Sequence, residues 1–499
     1  MAIIISILFP FICGISMLLI KKLNKRPLKS AIIVALQIIQ TIYALGVVIG
    51  AEATSGSFTF AKGLSMGFTS DITAKIFCAI VSVAWLLVTI YACVYMKHEE
   101  KEERFFLFSF LTQGAMMGAI LSNTLVSMYV FFELVTLFSA PLVLHSLSKE
   151  AIAAAKKYLY YSVAGAFLAL FGIFVLASNA PTLNFYTSGV ISEATPLVLA
   201  GAFCMCIGFG AKAGLFPLHG WLPTAHPVAP APASALLSGI IAKIGVLAII
   251  RTVFFTVGAK NISGTWVQTA LLALSLLTVL MGSMMAYKEK IFKKRLAYST
   301  VSQISYVLTG LFLFTEAGFE GALWQILFHA VVKVGLFLCA GAVIFLYGKT
   351  QVNELSGIGK RMPVTFACFT VLSLSLIGIP PTGGFFSKWH LATASLANSD
   401  IGAFSWLAPV ILLISALLTA GYLLSIVIKA LWGKDESEAD IKTKKEPKLM
   451  IIPLIALSAF ALLGGIFSQE IGSVLSAPPS APGRCCNPSP WDILRRPWF

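Results

Sequence analysis

Charged side chains are scarce in this sequence. They make up 11% of its 499 residues, against roughly 25% in a typical soluble domain. Hydrophobic residues make up 58%, and the mean hydropathy is +0.89. So few polar residues could not cover the surface of a water-soluble protein. The composition therefore excludes a soluble enzyme, a disordered chain and a nucleic-acid binder, and it predicts an integral membrane protein.

Signatures of cofactor sites are also missing. The nine cysteines include no C-x-x-C pair, and most of them lie in apolar runs. We interpret them as small buried hydrophobic side chains, not as a metal site or a disulfide framework. The sequence has no iron–sulfur cysteine set, nucleotide-binding fingerprint or haem motif. We therefore expect no catalytic residue, metal or cofactor in this chain.

Long apolar runs, in contrast, are abundant. About 20 apolar residues are needed to cross a bilayer as a helix, and lipid offers the backbone no hydrogen-bond partners, so helices are the expected form. The short alternating strands of a membrane barrel are absent from the sequence. Fourteen runs qualify, at residues 2–20, 30–50, 72–96, 105–122, 124–147, 157–178, 196–217, 232–257, 266–287, 298–315, 321–346, 362–396, 406–432 and 449–468.

Positive charge alternates between the loops that join these runs. All but two of the loop Lys and Arg residues follow an odd-numbered helix; the exceptions are Lys62 and Lys260. Because cytoplasmic loops carry the excess of Lys and Arg, the odd-numbered helices are predicted to end in the cytoplasm and both termini to face outward. This distribution also explains the net charge of +15 without a nucleic-acid partner.

Two of the runs are interrupted by prolines. The seventh continues into KAGLFPLHGWLPTAHPVAPAP (212–232), which holds five prolines, and the twelfth contains GIPPTGGFFSKWH (378–390). Proline cannot continue an α-helix. Broken helices at corresponding places in two halves of a transporter favour an inverted repeat with a pathway at mid-membrane. Ordinary proline kinks are the alternative.

These patterns divide the chain into five parts. Three N-terminal membrane helices occupy 1–104, the first repeat occupies 105–257, and the second repeat occupies 266–432. A last helix follows at 449–468. The tail at 477–499 has no periodicity and is predicted to be unstructured.

Ionisable residues occur deep inside several predicted helices, where each costs a few kcal/mol to insert. A static ion pair could explain Glu133 together with one lysine, but one carboxylate cannot pair four deep lysines. We therefore predict a proton-conducting path. Its candidate residues are Glu133, Lys212, Lys243, His329, Lys333 and Lys388.

Each residue type has a use in such a path. Removal from water makes a lysine release its proton more readily, and a nearby carboxylate has the opposite effect. Movement of Glu133 toward or away from Lys212 would thus switch that lysine between holding and releasing a proton. His329 and Lys333 are four residues apart and share one helix face, and histidine suits a relay near neutral pH.

Three further histidines are candidates for proton entry. His219 and His226 flank the proline-rich segment on its predicted cytoplasmic side, and His145 lies near the cytoplasmic end of the fifth predicted helix. For His219 and His226, an equally open alternative is that they only fix the loop.

The motifs KAGLFPLHGWLPTAHPVAPAPASALLSGIIAKIG, HAVVKVGLFL and GIPPTGGFFSKW resemble the antiporter-like subunits of respiratory complex I, Mrp-type cation/proton antiporters and membrane-bound hydrogenases. The resemblance covers roughly residues 70–430. It implies an all-α membrane protein with about 14 transmembrane helices, two inverted five-helix repeats (helices 4–8 and 9–13) and broken helices 7 and 12. The same six residues match the charged residues that form the mid-membrane chain in this family.

Within that family, FPLHGWLPTAHPVAPAP is most similar to the Mrp D-type and its hydrogenase relatives. The resemblance implies a subunit of a multisubunit complex in the plasma membrane of a prokaryote, with other membrane subunits as partners. Two functions stay open: proton influx coupled to Na⁺ or K⁺ efflux, or proton pumping driven by redox chemistry in other subunits. A purely structural role is disfavoured by the surplus of deep lysines.

Overall fold

The computed structural model describes residues 2–20, 26–55, 58–61, 64–186, 189–434 and 444–475. The predicted tail at 477–499 lies outside the described residues, as does the loop residue Lys62. The described part is mostly helical. Its only named strands form a short antiparallel hairpin of β1 (Phe58–Ala61) and β2 (Leu64–Met66).

Ten helices occupy the first half of the described chain. They are α1 (Ala2–Ile20), α2 (Arg26–Ile49), α3 (Ile72–Tyr95), α4 (Glu102–Ile120), α5 (Leu125–Val143), α6 (Lys149–Asn179), α7 (Pro196–Ala213), α8 (Leu222–Val228), α9 (Ala231–Leu236) and α10 (Lys243–Ile250). A π-helical turn at Leu237–Ile241 joins α9 to α10, and a second one at Arg251–Val257 continues α10, so that 231–257 is one continuous helical stretch.

Ten more helices follow. They are α11 (Ala259–Ile262), α12 (Trp266–Lys288), α13 (Phe292–Phe312), α14 (Glu316–Tyr347), α15 (Ile358–Arg361), α16 (Pro363–Ile377), α17 (Gly383–Leu396), α18 (Phe404–Trp432), α19 (Lys448–Ile466) and α20 (Ser468–Leu475). Short 3-10 turns stand at Met96–His98, Val352–Leu355 and Ser399–Ile401.

Eleven helical stretches of the described chain are long and apolar enough to cross a membrane. They coincide with eleven of the predicted runs. The other three runs are occupied by α4, by α13 and by the pair α16 and α17. The helix α4 begins with two glutamates, α13 is rich in serine and threonine, and α16 and α17 are each short. The chain is thus a multi-pass helical membrane protein, and the count of fourteen spans stays a prediction.

Polar caps fix where several of these helices begin. Thr124, Ser148, Thr195 and Thr315 each accept a hydrogen bond from a backbone N–H in the first turn of the helix that follows. Such caps satisfy N–H groups that have no partner inside the helix. The cap at Ser148 starts α6 eight residues before the predicted run at 157–178, because a helix extends beyond its apolar core to its capping residue.

Both predicted interruptions are present. The helix α7 ends at Ala213, and Gly214 follows with φ 82° before the chain turns into α8. Likewise α16 ends at Ile377, and Gly378 follows with φ 92° before the Pro-Pro turn and α17. Glycine ends helices in this left-handed conformation because it has no Cβ to clash. Both ends therefore leave carbonyl groups without helical donors.

The core of the bundle is built around α14. This helix packs against α3, α9, α13, α16, α17 and α19. Every residue of the 231–257 stretch is buried, and its part 231–241 packs against α14, whereas α1, α2 and α18 carry exposed leucine and isoleucine on their outer faces. Of the deep charges predicted from the sequence, Lys212, Lys243, His329 and Lys333 are therefore buried inside the bundle. The remaining two, Glu133 and Lys388, are half-buried.

Candidate functional site

Lys212 lies in the last turn of α7 and is held by hydroxyl groups. Its Nζ donates to Thr136 Oγ1 at 2.7 Å, Tyr158 OH at 2.6 Å and Ser162 Oγ at 3.4 Å. The side chain is 1% exposed, and its Nζ lies 4.5 Å from the centre of the Tyr158 ring. Thus α5 and α6 together supply the neutral oxygens that solvate this amine inside the bundle.

Glu133 lies one turn before Thr136 on α5. Its buried Oε1 has no hydrogen-bond partner among the described residues. It is close enough to Lys212 for the two to interact electrostatically, but no ion pair shorter than 4.0 Å joins them. The carboxylate therefore acts on the lysine at a distance, and its own position is not fixed by a bond to it.

Lys243 stands where a π-helical turn gives way to α10. Its Nζ donates to the carbonyl oxygen of Ser238 at 2.8 Å, and Ser238 Oγ lies 2.6 Å from Thr300 Oγ1 on α13. π-Helical turns are frequent at functional sites because they expose backbone groups that a regular α-helix would pair internally. Here the irregular turn supplies the acceptor for a buried lysine.

Lys333 and His329 lie one turn apart on α14, and both are buried. The Lys333 Nζ donates to the carbonyl oxygen of Leu296 at 3.0 Å and to Ser299 Oγ on α13. Lys243 and Lys333 are both close enough to His329 to interact with it electrostatically. One turn of α13, residues 296–300, therefore approaches both lysines.

A small polar cavity of about 10 Å³ lies next to His329. Its polar lining includes Gln303, Gln325 and Ser375, and it extends to Leu376 at the end of α16. Both ring nitrogens of His329 lack a partner among the described residues, as do Gln303 Nε2 and Ser375 Oγ. This volume fits about one water molecule, and several polar groups face it.

Lys388 lies on α17 and binds the end of α16. Its Nζ donates to the carbonyl oxygens of Leu376 and, at 2.6 Å, of Ile377, and it lies 5.5 Å from the centre of the Tyr306 ring. The last carbonyl groups of a helix carry partial negative charge and favour a cation. Leu376 also lines the cavity beside His329, so the cavity reaches the end of α16, to which Lys388 is bonded.

The three predicted entry histidines differ in their surroundings. His226 is fully buried and stacked on Phe337 at 4.7 Å, within electrostatic reach of Lys333. His219 is half-buried and stacked on Phe216, and His145 is buried against Phe105. No described contact joins His219 or His145 to the four deep lysines, so only His226 is brought near the central group.

Sequence reasoning missed the neutral partners of the lysines. They are Thr136, Tyr158, Ser162 and Ser299. One signal was available, because 299–309 (STVSQISYVLT) carries seven Ser, Thr, Gln or Tyr residues within a predicted membrane helix. Polar residues inside a membrane helix face the bundle interior.

A buried arginine was also missed. Arg251 is 1% exposed and makes two bonds of 2.5 and 2.9 Å to the carboxylate of Asp71 at the start of α3. The rings of Phe185 and Phe255 lie about 5 Å from its guanidinium carbon. Its position within the 232–257 run was the available signal. This closed pair is a structural tie between α3 and the π-helical turn Arg251–Val257.

The fold and the buried amines define a class, the multi-pass membrane proteins with a polar axis at the centre of the bundle. Within it, residues 122–422 match the family described as NADH:quinone oxidoreductase/Mrp antiporter, TM, and residues 58–106 match the NADH-ubiquinone oxidoreductase (complex I), chain 5 N-terminus. The first match spans more than half of the sequence, so the chain belongs to this family. The resemblance inferred from the motifs is thereby confirmed.

Individual relatives include a subunit of an NADH-quinone oxidoreductase and a subunit of a Na⁺/H⁺ antiporter. The chain is 32% identical over 403 residues to NADH-quinone oxidoreductase subunit N of Desulforudis audaxviator, covering 77% of this chain and 79% of that one. It is 28% identical to the D-type subunit of the Na⁺/H⁺ antiporter of Alkalihalophilus pseudofirmus, covering 94% of both chains. A chain of the Mrp complex from Dietzia sp. DQ12-45-1b shares the fold, with a TM-score of 0.81, 23% identity and coverage of 95% and 96%.

Proposed function

We propose that this chain is a proton-translocating subunit of a multisubunit Na⁺(K⁺)/H⁺ antiporter in the plasma membrane of a prokaryote, and that it works as a counterpart of the D-type subunit. The match to that antiporter subunit along nearly the whole of both chains supports this assignment. The proposed path runs through Glu133, Lys212, Lys243, His329, Lys333 and Lys388, with His226, His219 and His145 as possible entry points.

The proposal rests on the groups that accept hydrogen bonds from the four deep lysines. Among the described residues, all four amines bond only to neutral oxygens: hydroxyl groups at Lys212, a carbonyl at Lys243, one of each at Lys333 and carbonyls at Lys388. Within the described part of the chain, none of the four amines is bonded directly to a carboxylate. If one of them lost its proton, no bonded carboxylate would therefore lose its counter-charge. A neutral and a charged amine are both compatible with these surroundings, as proton exchange requires.

Glu133 supplies the control in this scheme. Its charge favours the protonated form of Lys212, and because no bond fixes its free oxygen, a small movement would change that influence. A proton released from Lys212 would pass toward Lys243 and then to Lys333 and His329. The polar cavity beside His329 would carry it to Lys388, the half-buried amine at the end of the path.

The architecture proposed with this function has fourteen spans in two inverted repeats. The repeats cover 105–257 and 266–432, flanked by the helices of 1–104 and of 449–468. The eleven long spans, together with α4, α13 and the pair α16 and α17, support the count. The interruptions after Ala213 and Ile377 support the repeats, because each follows a helix that contributes to a lysine site.

A second function is favoured by the higher identity to subunit N of NADH-quinone oxidoreductase. There the same path would carry protons driven by electron transfer in other subunits. The two functions differ in driving force and not in the residues of the path. Measurement of Na⁺ or K⁺ flux driven by a proton gradient, and of proton flux driven by quinone reduction, distinguishes them in the same vesicles.

The path itself is tested by Lys333→Met in the assembled complex in everted vesicles. Methionine is an unbranched side chain only slightly shorter than lysine and carries no exchangeable proton, so assembly should persist while proton-coupled flux falls to background. The control is Lys290→Met, because Lys290 is exposed and lies in a loop. Wild-type flux in Lys333→Met would contradict the proposed path.

A further inference from the structure

A groove lies apart from the polar axis, at one end of α2, α3 and α19. Its volume is about 630 Å³, and its walls are mainly apolar. Ala31 and Val34 of α2 form one wall, Ile90 of α3 forms another, and Leu449 and Ile452 of α19 form the third. From Arg26 to Val34 the groove follows α2 for about 12 Å. It is therefore long enough to leave the polar end of the helices and enter the apolar layer.

Cations stand at one end of this groove only. Arg26 and Lys97 line it there, and Lys448 begins α19 beside it. The Arg26 Nη2 donates to the Lys97 carbonyl oxygen and to Glu102, both at 3.1 Å. Among the described residues, none accepts a hydrogen bond from the exposed Lys97 amine. Two cations thus line this end of the groove against one bonded carboxylate, a third begins the neighbouring helix α19, and the rest of the lining is mainly apolar.

We propose that this groove binds one anionic phospholipid, with the phosphate at Arg26 and Lys97 and an acyl chain between α2, α3 and α19. A guanidinium and an ammonium at the same point suit a phosphate diester, and basic pockets between membrane helices favour anionic headgroups. An apolar helix of a partner subunit would leave the cationic end unmatched. Charge complementarity at one end and apolar walls at the other therefore specify a lipid.

The site would also stabilise the arrangement of the bundle. The packing between α2 and α3 and between α3 and α19 is direct, but the groove separates the exposed residues of α2 from those of α19. A bound acyl chain would fill that gap and join the N-terminal helices to the last long helix. This role is independent of proton movement, so the lipid site and the proposed function can be tested separately.

Two pairs of variants test the site. Lys97→Gln removes a cation with no described side-chain partner, and Lys290→Gln makes the same charge change in an exposed loop. Ala31→Trp fills the groove, and Ala35→Trp places the same ring on an exposed position of α2 that does not line it. The assembled complex is placed in nanodiscs of equal phosphatidylcholine and phosphatidylglycerol, and retained lipids are counted by native mass spectrometry.

We expect the wild type to retain one phosphatidylglycerol that Ala31→Trp lacks and Ala35→Trp keeps. Lys97→Gln should lower the occupancy of that molecule about fivefold, and Lys290→Gln should not. Equal retention of phosphatidylcholine and phosphatidylglycerol at this position, or an unchanged count in Ala31→Trp, would overturn the proposal. So would loss of a partner subunit from Ala31→Trp without loss of lipid, because a protein helix would then be the occupant.

Discussion

The buried lysines differ in what accepts their hydrogen bonds, and this difference decides how each could exchange a proton. A hydroxyl group both donates and accepts, whereas a carbonyl oxygen only accepts. Lys212 and Lys333 contact hydroxyl groups, so each has a neighbour that could receive and pass on a proton. Among the described residues, Lys388 donates only to carbonyl oxygens, so in the proposed path exchange there would need water from the cavity beside His329.

Tyr158 should therefore matter for flux more than for folding. Its hydroxyl group donates to or accepts from Ser139 and accepts from Lys212. A hydrogen bond to a charged group contributes about 1.5–3 kcal/mol, so we expect Tyr158→Phe to slow proton-coupled flux roughly 10- to 100-fold in everted vesicles. Tyr160→Phe, on the exposed face of the same helix, is the control. Equal flux in both variants would show that the hydroxyl group is dispensable.

Glu133 should be required for its charge and not for packing. The buried oxygen of Glu133 makes no described hydrogen bond. The complex should therefore still assemble in Glu133→Ala. We expect Glu133→Ala to abolish flux and Glu133→Asp to keep part of it, since the charge remains while the reach shortens. Near-normal flux in the assembled Glu133→Ala variant would show that Glu133 is not part of the path.

At the scale of secondary structure, α13 and the close contact of α7 with α10 bring the lysines together. The α13 turn at 296–300 reaches Lys333 directly and Lys243 through Ser238. On the other side, Gly245 lets α10 approach α7 beside Lys212. A Cβ at Gly245 would lie 2.5 Å from the carbonyl oxygen of Phe209. The close approach of α10 to α7 thus depends on Gly245.

Gly245→Ala should consequently separate α10 from α7. Overpacking of a tight core costs about 1–3 kcal/mol, so we expect a lower unfolding temperature of the solubilised complex and slower flux. Gly46→Ala is the matched control, because a Cβ at Gly46 in α2 would meet nothing within 4 Å. There the change should be neutral or stabilise the helix by up to about 1 kcal/mol. Equal effects of the two substitutions would contradict the close-contact argument.

At the scale of the whole molecule, most helices could be predicted from the sequence, but the partners of the buried charges could not. The runs at 2–20 and 72–96 match α1 and α3 within a residue, because apolar length is a local property. Lysines deep in apolar runs could be found in the same way. The partners could not, since Thr136 and Lys212 are 76 residues apart and Asp71 and Arg251 are 180 apart. Such contacts depend on how the helices pack.

The central claim is that buried lysines carry protons, and Lys212→Arg tests it most directly. Arginine keeps the positive charge and can bond to the same hydroxyl groups, but it stays protonated throughout the accessible pH range. The measurement is proton-coupled flux in everted vesicles between about pH 6 and pH 9, with Lys290→Arg as the control. We predict that Lys212→Arg assembles and shows no flux at any of these pH values. Flux equal to that of the wild type across the range would show that Lys212 is a fixed counter-charge and would contradict the account.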